Sequence, residues 1–210
     1  KEISKMLGID KEKMGVIPNV LSPLFYYDHK IEKYSEFTFV SVGRLINRKG
    51  MDVLIQVFGE TFKEYSNVRL LIIGDGEEKE KYVRICEEHN YRVSFLGQKS
   101  REELANIIRR SHCFVLNSRL ETFGVVYIEA LACGIPTIGT YNGGSNEIID
   151  GFGGIGIKVD DTQALKKSML DVYNNIYKFD SYAVSEEVKK SFSEENISNM
   201  ILNMYQKHVN

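Results

Sequence analysis

Short runs of β-branched and aromatic residues alternate with segments of helical period along most of this chain, and glycines stop the runs. Phe37–Val42 reads Phe-Thr-Phe-Val-Ser-Val and halts at Gly43, as a strand does. Met51–Tyr65 then places Met51, Leu54, Ile55, Phe58 and Phe62 on one helical face. Strands are predicted again at Val68–Ile73, Val93–Leu96, Cys113–Leu116, Pro136–Thr140 and Gly156–Val159. Helices are predicted at Glu77–His89, from the capping box Ser100-Arg-Glu-Glu to about Arg110, at Phe123–Cys133, from Gly143, and from Asp160-Asp161 toward Tyr177. Such alternation with short connections makes a parallel sheet covered on both faces, a doubly wound α/β domain. Ligands of such sheets bind beyond the carboxyl ends of the strands.

Composition narrows the function. Twenty-seven Lys and Arg stand against 29 Asp and Glu, a net charge of -2, so the chain is not a globally basic nucleic-acid binder. Cys86, Cys113 and Cys133 are scattered in apolar surroundings and read as reduced core thiols of a cytoplasmic protein. No Cys-x-x-Cys and no paired histidines offer a metal site. No apolar run is long enough to span a bilayer. The chain opens on Lys-Glu-Ile-Ser-Lys, without an initiator Met or signal peptide, and is expected to be a fragment. Residues 1–33 read as a helix end, Gly15-Val-Ile-Pro-Asn19 and a loop rich in Tyr and charge. Ser193–His208 reads as an amphipathic helix carrying Ile197, Met200, Ile201, Met204 and Tyr205.

The chemistry concentrates in three stretches. In Glu121-Thr-Phe-Gly-Val-Val-Tyr-Ile-Glu129 the helix is apolar on nearly every side except at Glu129. A buried carboxylate needs a cation, donors or a ligand with hydroxyls. It is either a ligand acceptor or half of a core ion pair. Glu121 sits before the same helix as a ligand contact or a cap, and the N–H groups of Thr122, Phe123 and Gly124 form an expected anion site. Gly43-Arg44-Leu-Ile-Asn-Arg48-Lys49-Gly50 follows the first strand and puts Arg44 and Lys49 at the ligand edge. Two cations there suit a diphosphate, unless they are simply solvated. Asn142-Gly143-Gly144-Ser145 allows close backbone approach to a ligand, or is a plain turn with Ser145 as cap. Gly74-Asp75-Gly76 lacks the third glycine of a dinucleotide fingerprint and reads as a turn.

Together these stretches resemble the carboxyl-terminal domain of the family 4 retaining glycosyltransferases, which have a two-Rossmann-domain architecture. The resemblance rests on Gly43-Arg44-Leu45 with Lys49-Gly50, Gly74-Asp75-Gly76, Phe95-Leu96-Gly97, Glu121-x-Phe123-Gly124 with Glu129-Ala130, Gly134-x-Pro136, and Gly143-Gly144 with Glu147. Val20 and Tyr141 depart from the family pattern. The resemblance implies a Rossmann-like donor-binding half: 1–35 an interdomain linker remnant, 36–179 the nucleotide-sugar domain, and 180–210 a helical segment crossing to an absent amino-terminal domain that holds the acceptor. It implies that Arg44 and Lys49 neutralise a departing uridine or guanosine diphosphate and that Glu121 contacts the transferred sugar. Glu129 would bond the ribose. Gly43, Phe95, Leu96, Gly97, Thr122, Phe123, Gly124, Val125, Gly143 and Gly144 would line the nucleotide-sugar site. No metal or other cofactor is implied, and peripheral membrane association of a full-length protein is compatible with it. The alternatives are a related phosphorylase or sugar-phosphate synthase, and a non-catalytic nucleotide-sugar-binding module.

Overall fold

The computed structural model describes Gly8 and residues 14–209, with side chains to residue 206. The expected helix end before Gly15 lies outside the described residues. Six strands, β1 (Phe37–Val42), β2 (Val68–Ile73), β3 (Val93–Phe95), β4 (Cys113–Leu116), β5 (Thr137–Tyr141) and β6 (Ile155–Lys158), form one sheet in the order β3-β2-β1-β4-β5-β6. Every pairing is parallel, with Phe37 opposite Val68, Phe39 opposite Cys113 and Phe114 opposite Thr137. The strand order reverses between β1 and β4, so the loops leaving these two neighbours diverge and open a crevice.

The helices are α1 (Met51–Phe62), α2 (Lys79–His89), α3 (Arg101–Arg110), α4 (Val125–Ala132), α5 (Asn146–Gly151), α6 (Thr162–Asn175), α7 (Ser181–Ser191) and α8 (Glu194–Val209). α1 packs against α2 and α6, whereas α4 packs against α3, α5 and α7. Phe39, Phe58 and Phe62 are buried with ring centroids 5.3–5.8 Å apart. Burial of each such ring contributes about 1.5–3 kcal/mol. α4 is buried at every residue from Tyr127 to Ala132, in keeping with its all-round apolar sequence. The three cysteines are free and buried.

Two helices refine the sequence reading in ways that matter for the site. α4 starts at Val125 rather than Phe123, because Gly124 caps it in the left-handed region, φ +84°. α7 falls in the 180–210 segment expected to be helical, and it packs on this domain itself: Val188 lies in the core and Ser185 Oγ donates to Ala132 O at 2.6 Å. The capping box at Ser100 and Glu103 forms as read. α8 buries Ile197 but leaves Met200, Ile201, Leu202 and Tyr205 exposed.

Candidate donor-binding site

The β1–α1 loop turns through a short 3-10 helix, Asn47–Lys49, before α1 begins at Met51. This turn brings Lys49 back beside Gly43 and onto the segment leaving β4. Lys49 Nζ donates to Glu121 Oε1 at 2.5 Å, and both side chains are largely buried. Glu121 in turn forms an isolated parallel bridge with Gly143. A Cβ on Gly144 would lie 2.2 Å from Glu121 O and 2.5 Å from Thr122 O, so only glycine lets these two loops meet. The sequence-predicted residues Gly43, Lys49, Glu121 and Gly143–Gly144 thus form one continuous contact.

Two clefts open along it. The first, about 460 Å³, is lined by Gly43, Arg44, Asp75, Gly76, Gln98 and Lys99 among others. Arg44 is exposed there, and its side chain makes no hydrogen bond or ion pair with a described residue. Phe95, Leu96 and Gly97 lead into this cleft, but their backbone is already committed: Leu96 N donates to Ile72 O, and Gly97 O accepts from Gly74 N, both at 2.9 Å. Gln98 and Lys99, directly after them, line the cleft wall. Gly74 and Gly76 are glycines for a steric reason, since a Cβ at either would strike the carbonyl of Gly43 or Leu45 at 2.0 and 2.4 Å. The turn reading of Gly74-Asp75-Gly76 holds on that ground. The second cleft, about 440 Å³, is lined by Thr122, Phe123, Gly143, Gly144, Glu147 and the apolar Phe152 and Phe192 among others.

With α4 starting at Val125, the free N–H groups of its first turn are those of Val125 and Val126, directly after the expected Thr122–Gly124 amides. Gly143 N already donates to Asn146 Oδ1 at 3.1 Å. Ser145 is no side-chain cap either: its hydroxyl donates to Thr140 O or Asn142 Oδ1, each at 3.0 Å.

Glu129 is 2 % exposed and accepts from Arg101 Nη2 at 2.6 Å. Burial pushes its carboxyl above the usual range, and Arg101 partly offsets this. Arg101 opens α3, lies over the Phe25 ring at 4.7 Å and is 49 % exposed. The ion-pair alternative for Glu129 is therefore realised, but with a cation at the surface. Sequence reading missed Arg101, and also Asn117, whose buried side-chain amide has no hydrogen-bond partner among the described residues. Among the described residues no cluster of potential metal ligands occurs.

A six-stranded parallel sheet with helices on both faces places the chain in the doubly wound, Rossmann-like α/β class. More narrowly, the chain belongs to the group 1 glycosyl transferases, whose family model matches residues 28–187. It is 30 % identical over 145 residues to a phosphatidylinositol N-acetylglucosaminyltransferase subunit of Arabidopsis thaliana, covering 68 % of this chain and 32 % of that one. It is 30 % identical over 205 residues to a probable sucrose-phosphate synthase of Thermosipho melanesiensis, covering 94 % and 48 %. The fold superposes on Anabaena HepE, crystallised with UDP and glucose, at TM-score 0.81 and 20 % identity, covering 97 % of this chain and 59 % of that one. The chain thus spans a third to a half of the length of these curated relatives.

Proposed function

We propose that this chain is the donor-binding half of a retaining glycosyltransferase that moves a sugar from a nucleoside diphosphate, of uridine or guanosine type, to an acceptor held elsewhere in a longer protein. The observation that carries the reading is Lys49 held against Glu121 at the strand ends, with Arg44 unpaired near it. Arg44 and Lys49 neutralise the diphosphate as it departs, which is where charge develops in sugar transfer. Glu121 takes hydroxyls of the transferred sugar, and Glu129 accepts from the ribose. Gly43, Phe123, Val125 and Gly144 supply close backbone. The cations do the work a metal would otherwise do, so chelation by EDTA leaves donor affinity unchanged. The match over 94 % of this chain to a probable sucrose-phosphate synthase supports a second reading, in which the acceptor is a sugar phosphate. The exposed Met200, Ile201, Leu202 and Tyr205 of α8 are assigned to contact with the acceptor-binding remainder.

Calorimetric titration of this chain with UDP and UMP, and with GDP and GMP, tests the donor reading. A diphosphate binds at least tenfold tighter than its monophosphate, and Lys49→Ala removes most of that ratio. Equal affinities in both pairs would sink the assignment.

A further inference from the structure

We propose that Arg119 is a positioning residue that fixes Lys49 and Glu121 in the spacing the second phosphate of the donor requires; this rests on the donor reading above. Arg119 lies on the segment between β4 and α4, two residues before Glu121. The β1–α1 and β4–α4 loops leave adjacent strands in divergent directions, so their relative position needs a tie of its own. Arg119 supplies it. Its Nη1 donates to Asn47 O at 2.5 Å and to Asp52 Oδ1 at 3.1 Å, and its Nη2 donates to Asp52 Oδ2 at 3.0 Å. Its backbone N donates to Arg48 O at 2.9 Å. Its Nε reaches both oxygens of Asp160, at 3.0 and 3.1 Å, from the loop after β6.

These contacts grip the loop at Asn47, at Arg48 and at Asp52, on both sides of Lys49 in sequence. Glu121, on the same extended segment, holds Lys49 itself. The guanidinium edges are all directed at protein acceptors, so Arg119 has no fork left for a phosphate, in contrast to Arg44. Its planar geometry is what allows one side chain to serve Asn47, Asp52 and Asp160 together. A lysine keeps the charge between the two carboxylates but reaches fewer acceptors. Asp160 is itself a non-glycine residue in the left-handed region, φ +58°.

The test uses the 210-residue chain and the variants Arg119→Gln, Arg119→Lys and Asp160→Asn, with calorimetric affinity for UDP and UMP (or GDP and GMP) and a melting curve for each. In Arg119→Gln, diphosphate affinity falls about tenfold while monophosphate affinity stays within about twofold. Arg119→Lys recovers melting temperature, because it still separates Asp52 from Asp160, but does not recover the diphosphate-to-monophosphate ratio. Asp160→Asn, which keeps Arg119 in place, lowers the ratio by a smaller factor and covers the case in which Arg119→Gln does not fold. An unchanged ratio in Arg119→Gln, or in Asp160→Asn should the former not fold, overturns the proposal, as does an equal loss for both nucleotides. A wild-type chain without diphosphate preference overturns the donor reading and this proposal with it, whereas a wild-type preference that survives in the variants overturns only the positioning role.

Discussion

Replacing Glu129 by glutamine separates binding from folding, because the structure gives the two roles opposite signs. Glu129 is buried, and burial raises its carboxyl pKa above 4.5 despite the bond to Arg101. An acid whose folded pKa is raised contributes stability below its unfolded pKa, and that contribution is lost as pH rises through the folded value. At pH 7 the buried charge is therefore a liability that the neutral amide removes. Arg101 is half exposed and regains water when its partner becomes neutral, so no buried cation is stranded. The melting temperature of Glu129→Gln at pH 7 should be unchanged or higher by a few degrees, at about 2–4 °C per kcal/mol for a chain of this size. Toward ribose, the amide keeps a neutral acceptor worth about 1 kcal/mol in place of a charged one worth about 1.5–3 kcal/mol. The difference of about 0.5–2 kcal/mol predicts a roughly 2- to 30-fold weaker nucleotide affinity. Differential scanning fluorimetry and calorimetry on the same preparations measure both. A melting loss of about 6 °C or more with unchanged nucleotide affinity would refute the reasoning and make Glu129 a purely structural partner of Arg101.

Glu121→Ala should tighten UDP, by freeing Lys49 for phosphate, yet weaken the nucleotide sugar relative to UDP; a parallel change in both affinities argues against a sugar contact at Glu121. His112 accepts from Thr38 N at 3.0 Å, stacks on Phe37 and faces Lys33 and Arg69; burial first and these cations second depress its pKa to about 4. A depressed base contributes stability above its unfolded pKa of 6.5 that is lost as pH falls through 4, about 2 kcal/mol after discounting for partial exposure. His112→Asn keeps an acceptor for Thr38, so urea unfolding at pH 7 and pH 4.5 should show the variant losing about that much less; parallel losses would show that His112 does not titrate in this way.

The strands were legible because buried parallel strands are written in consecutive β-branched and aromatic residues, as Phe37–Val42 and Val68–Ile73 show to the residue. The start of α4 was not, since Phe123 fits the apolar run and only the backbone at Gly124 excludes it from the helix. The packing of α7 on this domain was not legible, because Ser181–Ser191 is mostly small and charged and the residues that anchor it, Val188 and Ser185, give no strong period. Glu129 announced itself as one charge in an apolar helix. Arg101 and Arg119 did not, because an arginine in a polar stretch reads the same whether it is solvated or pairs with a distant carboxylate. Their partners, Glu129 for one and Asp52 with Asp160 for the other, are distant in sequence and meet them only through the strand order. The one signal available was the local demand of Glu129 for a cation, which names a charge but not a position.

The same demand runs through the whole candidate site. Each acidic residue that the proposed function needs for hydroxyls is already matched by a cation: Glu121 by Lys49 and Glu129 by Arg101. Leaving a poorly solvated carboxylate or ammonium without a partner costs several kcal/mol, so an empty site made of unpaired groups would be unstable. Pairing avoids that cost, and donor binding then becomes an exchange of partners. Under the proposed function, a phosphate would replace the Glu121 carboxylate on Lys49, anion for anion, and the freed Glu121 would turn to neutral hydroxyls. Arg44, without a partner to surrender, is the cation that can meet the incoming diphosphate first. On this account Lys49 supplies most of the diphosphate preference, net of the bond to Glu121 that it gives up. Its larger contribution comes when the diphosphate leaves the sugar and its negative charge grows, the stage at which a cation already in place stabilises most.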